Sequence, residues 1–126
     1  MIGIEEAIRR HNILIDLFGG SKGVRDLNGL QAALARPYAT FDGQELYPNP
    51  VDKAAAILES LVINHPFIDG NKRIAYALMF LILAENGFYL KISQDEQYAF
   101  VIAASTGEIR YDEIKAWLEV NVTPIS

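Results

Sequence analysis

Apolar residues recur along this chain mainly at helical spacing. Ile4, Ile8, His11, Ile15 and Phe18 share one side of a helix, and Gly19-Gly20 stops it, which predicts a helix over Gly3 to Phe18. His11 lies in that apolar stripe, where a hydrogen-bonded core histidine is the expectation. Ser21 to Arg25 reads as a loop. Asp26 can then cap a short helix that buries Leu27, Leu30 and Leu34 and ends before Pro37. Asp42-Gly43, set between Thr40-Phe41 and Leu46-Tyr47, is a two-residue hairpin signal. Such a hairpin is marginal alone and should lie on the domain as a flap. Asn49-Pro50 opens the next helix, Asp52 complements its dipole, and Ala54, Ile57, Leu58, Leu61 and Val62 stripe it as far as Asn64. The longest apolar run, eleven residues from Ile74 to Ala84, predicts a buried central helix that begins at Asn71 and ends at Asn86-Gly87. Ser93 with Glu96 forms a capping box for a helix through Ser105, with Phe100, Val101 and Ala104 inside. After Thr106-Gly107 a last helix from Asp112 presents Ile114, Trp117 and Leu118. The pattern predicts an all-α bundle around the central helix, one domain over residues 1–126, with one small β-hairpin.

The polar stretch His65-Pro66-Phe67-Ile68-Asp69-Gly70-Asn71-Lys72-Arg73 runs straight into that central helix. Singly, its parts have ordinary explanations: a loop histidine before proline, an Asp-Gly turn, a solvated helix start. Together they do not. Two consecutive cations in a helix's first turn oppose the dipole, and the helix behind them is too apolar to expose, so a compensating anion is called for. The free amides of that turn, beside Lys72 and Arg73, make an anion site with His65 and Asp69 in reach.

HPFIDGNKR resembles the core motif of the Fic/Doc (Fido) superfamily, specifically its death-on-curing branch. Fic enzymes tend to read HPFxDGNGR, with a second Arg three residues on; this chain has Lys72 at the glycine and Tyr76 at that Arg. Looser resemblance extends through Phe18-Gly19-Gly20, Gly23, Arg25-Asp26, Tyr47-Pro48, Lys53-Ala54-Ala55 and Asn86-Gly87. It implies a Fic/Doc-type bundle with ATP as co-substrate, and a flap at Phe41, Leu46 and Tyr47 that holds the target segment. Lys72 fills space that AMP-transferring relatives leave open. The resemblance therefore favours reversed nucleotide binding and transfer of the γ-phosphate to a protein hydroxyl, with AMP transfer as the alternative. Elongation factor Tu is the target associated with this branch. The inhibitory pattern [ST]xxxE[GN] is not found in the sequence, so a separate antitoxin supplying that segment is expected.

The residues suit those roles chemically. The imidazole of His65 can accept a hydroxyl proton. Asp69 can ligate Mg²⁺ with phosphate oxygens and water, or else cap the central helix. Gly70 admits a close backbone approach, and Asn71 can donate to a phosphoryl oxygen. Lys72 offers a point charge and Arg73 a fork for phosphate. His65, Asn71 and Arg73 are thus the catalytic candidates.

Composition narrows the classes. A net charge of −5 argues against nucleic-acid binding, and the absence of cysteine excludes disulfides and thiolate metal sites while fitting a reducing, bacterial cytoplasm. No P-loop or Gly-rich kinase loop occurs. Met1 to Glu6 has no basic n-region, so no secretory signal is expected, nor any membrane partner. From another class, a non-catalytic nucleotide- or phosphate-binding module stays open.

Overall fold

The computed structural model describes residues 1–125. Among them are six α-helices: α1 (Ile4–Phe18), α2 (Leu27–Ala35), α3 (Pro50–Asn64), α4 (Asn71–Glu85), α5 (Gln94–Ser105) and α6 (Tyr111–Asn121). A 3₁₀ turn at Arg36–Tyr38 follows α2, where Pro37 forbids further α-helix. Strands β1 (Thr40–Phe41) and β2 (Gln44–Glu45) then pair as an antiparallel hairpin. Asp42 and Gly43 form its turn at φ 55° and 78°, as a primed two-residue turn requires.

The architecture is all-α, as the periodicity predicts, with α3 and α4 packed against each other at its centre. The expected α3 stripe of Ala54, Ile57, Leu58, Leu61 and Val62 is buried, and Ile74, Leu78, Met79 and Leu83 of α4 meet it. Phe100 stacks on Trp117 at 3.8 Å, joining α5 to α6. The capping box of Ser93 with Glu96 is present.

Four expectations need correction. Leu27 is 49% exposed and Phe18 65%, because each sits at a helix end, past the surface its neighbours bury. The central helix is not covered all round: Tyr76, Ala77 and Phe80 are half-buried along an open strip. A second antiparallel pair joins β3 (Phe88–Leu90) to β4 (Val122–Pro124), tying the end of α6 back to the end of α4. Three-residue strands paired across two intervening helices leave no local period to read.

Candidate functional site

Residues 19–26 run alongside the motif loop and shape it by hydrogen bonds. The Gly19 carbonyl accepts from Arg73 at 3.1 Å, and the Ser21 amide donates to Asp69 Oδ2 at 3.1 Å. Ile68 donates to the Gly23 carbonyl at 3.0 Å, while the amides of Arg25 and Asp26 donate to Pro66 at 2.8 and 3.0 Å. The close fit depends on glycine: a Cβ on Gly20, where φ is 115°, would stand 2.6 Å from Asp69 Oδ2. From beneath, His11 of α1 is buried and stacked on Phe67, centroids 3.9 Å apart, and its Nε2 donates to the Asp69 carbonyl at 2.7 Å. His11 is the core histidine its stripe predicts, and it is also the floor of the loop.

His65 ends α3 in the left-handed region, φ 47° and ψ 55°, and its side chain is exposed. Asp69 is exposed too. Its carboxyl is held below the usual range by the Ser21 and Gly70 amides that hydrogen-bond it, with a smaller contribution from Arg73. It does not cap α4. Gly70 holds the cap position at φ 72°, and among the described residues no side chain bonds the first-turn amides. The need for glycine at 70 differs from the one expected: its Cβ would point at the protein, 3.2 Å from Ile15 Cδ1 and 3.4 Å from His11 Nε2. Left-handed backbone and contact with α1 explain Gly70 without a ligand.

Asn71 is also more engaged than its chemistry alone suggested. Its Oδ1 accepts from the Phe67 amide and its Nδ2 donates to the Phe67 carbonyl, both at 2.9 Å. The side chain closes the loop on itself and keeps one Nδ2 hydrogen for another acceptor. Lys72 and Arg73 are exposed, and among the described residues neither forms an ion pair. Arg73 lies over the Phe18 ring, 5.4 Å from its centroid. The α4 N-terminus therefore presents open amides and two cations without carboxylate partners. It opens on a groove of about 750 Å³ whose walls include Phe18, Tyr76, Gln97 and Tyr98. Burial raises the pKa of Tyr76 there.

Asp69 suits Mg²⁺, which commonly takes one or two carboxylates and completes its shell with phosphate oxygens and water. Each Asp69 oxygen accepts an amide hydrogen bond, from Ser21 or Gly70, and keeps acceptor capacity. Among the described residues no cluster of three His, Cys, Asp or Glu offers a protein-only cage.

The flap residues divide. Phe41 and Leu46 are exposed at 74% and 51%. Tyr47 is instead an anchor: its hydroxyl accepts from Arg36 Nε at 3.0 Å and its ring meets Tyr111 edge-on at 5.3 Å. Lys53, in the first turn of α3, ties down Glu45 at 2.9 Å and also reaches the Tyr47 carbonyl. Lys53 thus fixes the hairpin base beside the N-terminal part of α3, about 18 Å of helix from His65. Sequence reasoning assigned no role to Arg25, Ser21 or the α5 wall. The Gly19-Gly20 and Arg25-Asp26 pattern was the available signal for the first two, and nothing local marked the third.

A family model described as Fic/DOC family matches residues 2–83. The chain belongs to the Fic/DOC family. Within that family it is similar to Toxin Doc of Mycolicibacterium smegmatis, 50% identical over 78 residues, which are 62% of this chain and 60% of that protein. Protein kinase doc of Escherichia phage P1 is 29% identical over 113 residues, 90% of this chain and 88% of the relative. Protein adenylyltransferase fic-1 of Caenorhabditis elegans is 37% identical over 73 residues, 55% of this chain and 14% of its own length. The matched part of the chain thus spans about 60% of the mycobacterial toxin and a small part of the nematode enzyme. The likeness to the death-on-curing branch that HPFIDGNKR carries extends to the mycobacterial and phage relatives. No helix among the described residues is long and apolar enough to cross a membrane.

Proposed function

We propose that this Fic/DOC domain is the toxin of a toxin–antitoxin pair and transfers the γ-phosphoryl group of ATP to a hydroxyl of a target protein. The observation that carries the reading is the α4 N-terminus: open amides with unpaired Lys72 and Arg73, at the mouth of a groove large enough for a nucleotide. The phage relative, named a protein kinase, is similar over most of both chains and so favours phosphoryl over AMP transfer. Lys72, standing where Fic enzymes tend to have glycine, argues the same way.

In this reading the His65 imidazole takes the proton of the acceptor hydroxyl as its oxygen attacks the γ-phosphorus. The bond from that phosphorus to the β–γ bridging oxygen breaks, and ADP leaves. The open α4 amides, with Lys72 and the Arg73 fork, hold phosphate oxygens, while Gly70 shapes the turn that leads into them and gives its own amide to Asp69. Asn71 has one Nδ2 hydrogen left for the phosphoryl group as its charge redistributes. Asp69 would hold Mg²⁺, which when bound neutralises phosphate charge. Phe41 and Leu46 on the flap would grip the target segment, with Tyr47 fixing the flap's base. The supporting likeness to toxins makes elongation factor Tu the first target to test, in a bacterial cytoplasm, with an antitoxin covering the site.

The test uses ATP labelled at the α- or γ-phosphate, cell lysate and the purified chain, with modified proteins identified by mass spectrometry. Label from the γ-position on a protein is expected, falling by at least about a hundredfold in His65→Ala. Label arriving only from the α-position would replace phosphoryl transfer with AMP transfer. No label from either leaves a binding module.

A further inference from the structure

His65 and Asp42 are the two non-glycine residues at positive φ among those described. Asp42 belongs to a tight turn, but His65 closes a fifteen-residue helix, where glycine is the usual terminator. A histidine in this conformation persists only when its surroundings fix it. Arg25 does so from 40 residues earlier in the chain: its Nε donates to the His65 carbonyl at 2.9 Å. One Nη donates to the Asn64 carbonyl at 2.9 Å and reaches the His65 carbonyl as well. Just beyond, the amides of Arg25 and Asp26 hold the Pro66 carbonyl. The two carbonyls that flank the torsions of His65, and the next one along the chain, are therefore all gripped from one short segment. A planar guanidinium can engage neighbouring carbonyls together, which an ammonium cannot reproduce in the same geometry.

We propose that Arg25 is a positioning residue for the His65 imidazole. By clamping the carbonyls of Asn64 and His65 it fixes the backbone torsions at residue 65, and with them the direction of the ring. Its catalytic consequence rests on the phosphotransfer reading; its effect on the ring does not. The competing account makes Arg25 a cation at a helix C-terminus, stabilising α3 and nothing more.

The chain has two histidines, and His11 is buried, so His65→Ala assigns the His65 Cε1–H resonance by subtraction. In Arg25→Ala that resonance is expected to shift, and kcat for protein phosphorylation to fall about 10- to 100-fold, as misplacement of a reacting group does. KM for ATP should stay within about twofold, because the α4 phosphate site does not contain Arg25. Millimolar guanidinium should restore part of the loss in Arg25→Ala, and Arg25→Lys should recover less activity than wild type. An unmoved His65 resonance with a lowered melting temperature overturns the proposal, as does full recovery in Arg25→Lys. A shifted resonance in a protein that moves no phosphate supports the positioning and sinks the phosphotransfer reading instead.

Discussion

His65 carries both the proposed chemistry and a strained backbone, and the two can be separated by substitution. A left-handed L-residue costs about 1–2 kcal/mol, whereas glycine adds unfolded-state freedom worth about 0.4–1 kcal/mol, so relief should outweigh loss. His65→Gly is therefore expected to raise stability by about 0.5–1 kcal/mol while abolishing transfer, read by urea unfolding beside the labelled-ATP assay. A destabilised His65→Gly protein would show that the φ of 47° carries no strain worth relieving. Asn71 presents the opposite balance. Asn71→Ala leaves the amide and carbonyl of buried Phe67 without their side-chain partner. The expected loss is about 1–3 kcal/mol in urea unfolding, together with lost transfer. Activity lost at full stability would instead mean that Asn71 acts only on the phosphate.

At the scale of elements, the hairpin's short strands depend on an anchor outside themselves. Tyr47→Phe removes the acceptor of Arg36 and should cost about 0.5–1.5 kcal/mol. Amide exchange at residues 40–45 should quicken more than exchange in α4, and equal acceleration in both would refute an anchoring role. The helices themselves were legible in the sequence, because Ile57, Leu58, Leu61 and Val62 repeat at helical spacing and Ser93 with Glu96 marks a start. HPFIDGNKR likewise marked the polar corner where α4 begins, with its two cations. Its local wiring was less legible: Asn71 bonds four residues back along the chain, but the partners of Asp69 and His65 lie at Ser21 and Arg25. Contacts across forty or more positions leave no trace in periodicity. Gly20 reads as part of a helix stop and Gly70 as room for a close backbone approach, and the side chain pressed where each Cβ would stand emerges only with tertiary packing.

Across the molecule, Glu59 of α3 links three elements. It is buried and pairs with Arg36 of the 3₁₀ turn at 2.8 Å and with Arg110, just before α6, at 3.0 Å. Burial alone would push its carboxyl up, but hydrogen bonds from the two guanidinium groups outweigh this and hold it below the usual range. The folded value thus lies below the unfolded one. The stabilisation is complete above the unfolded carboxylate value of about 4.3 and is lost as pH falls through the lowered folded value. Glu59→Gln should cost about 2–3 kcal/mol at pH 7, discounted from a fully buried pair because both arginines are partly solvated. The variant should also flatten the decline of stability below about pH 4.3, seen in urea titrations across the acid range. An unchanged acid slope would remove Glu59 from the coupling.

The pairing of residues 19–26 with residues 64–73 also makes the corner divisible. The exposed Asp42–Gly43 turn lies between the two stretches, so a nick there puts mould and casting on separate polypeptides. Neither piece alone owns the corner, and a split protein cut at that turn would work only while something kept its halves together.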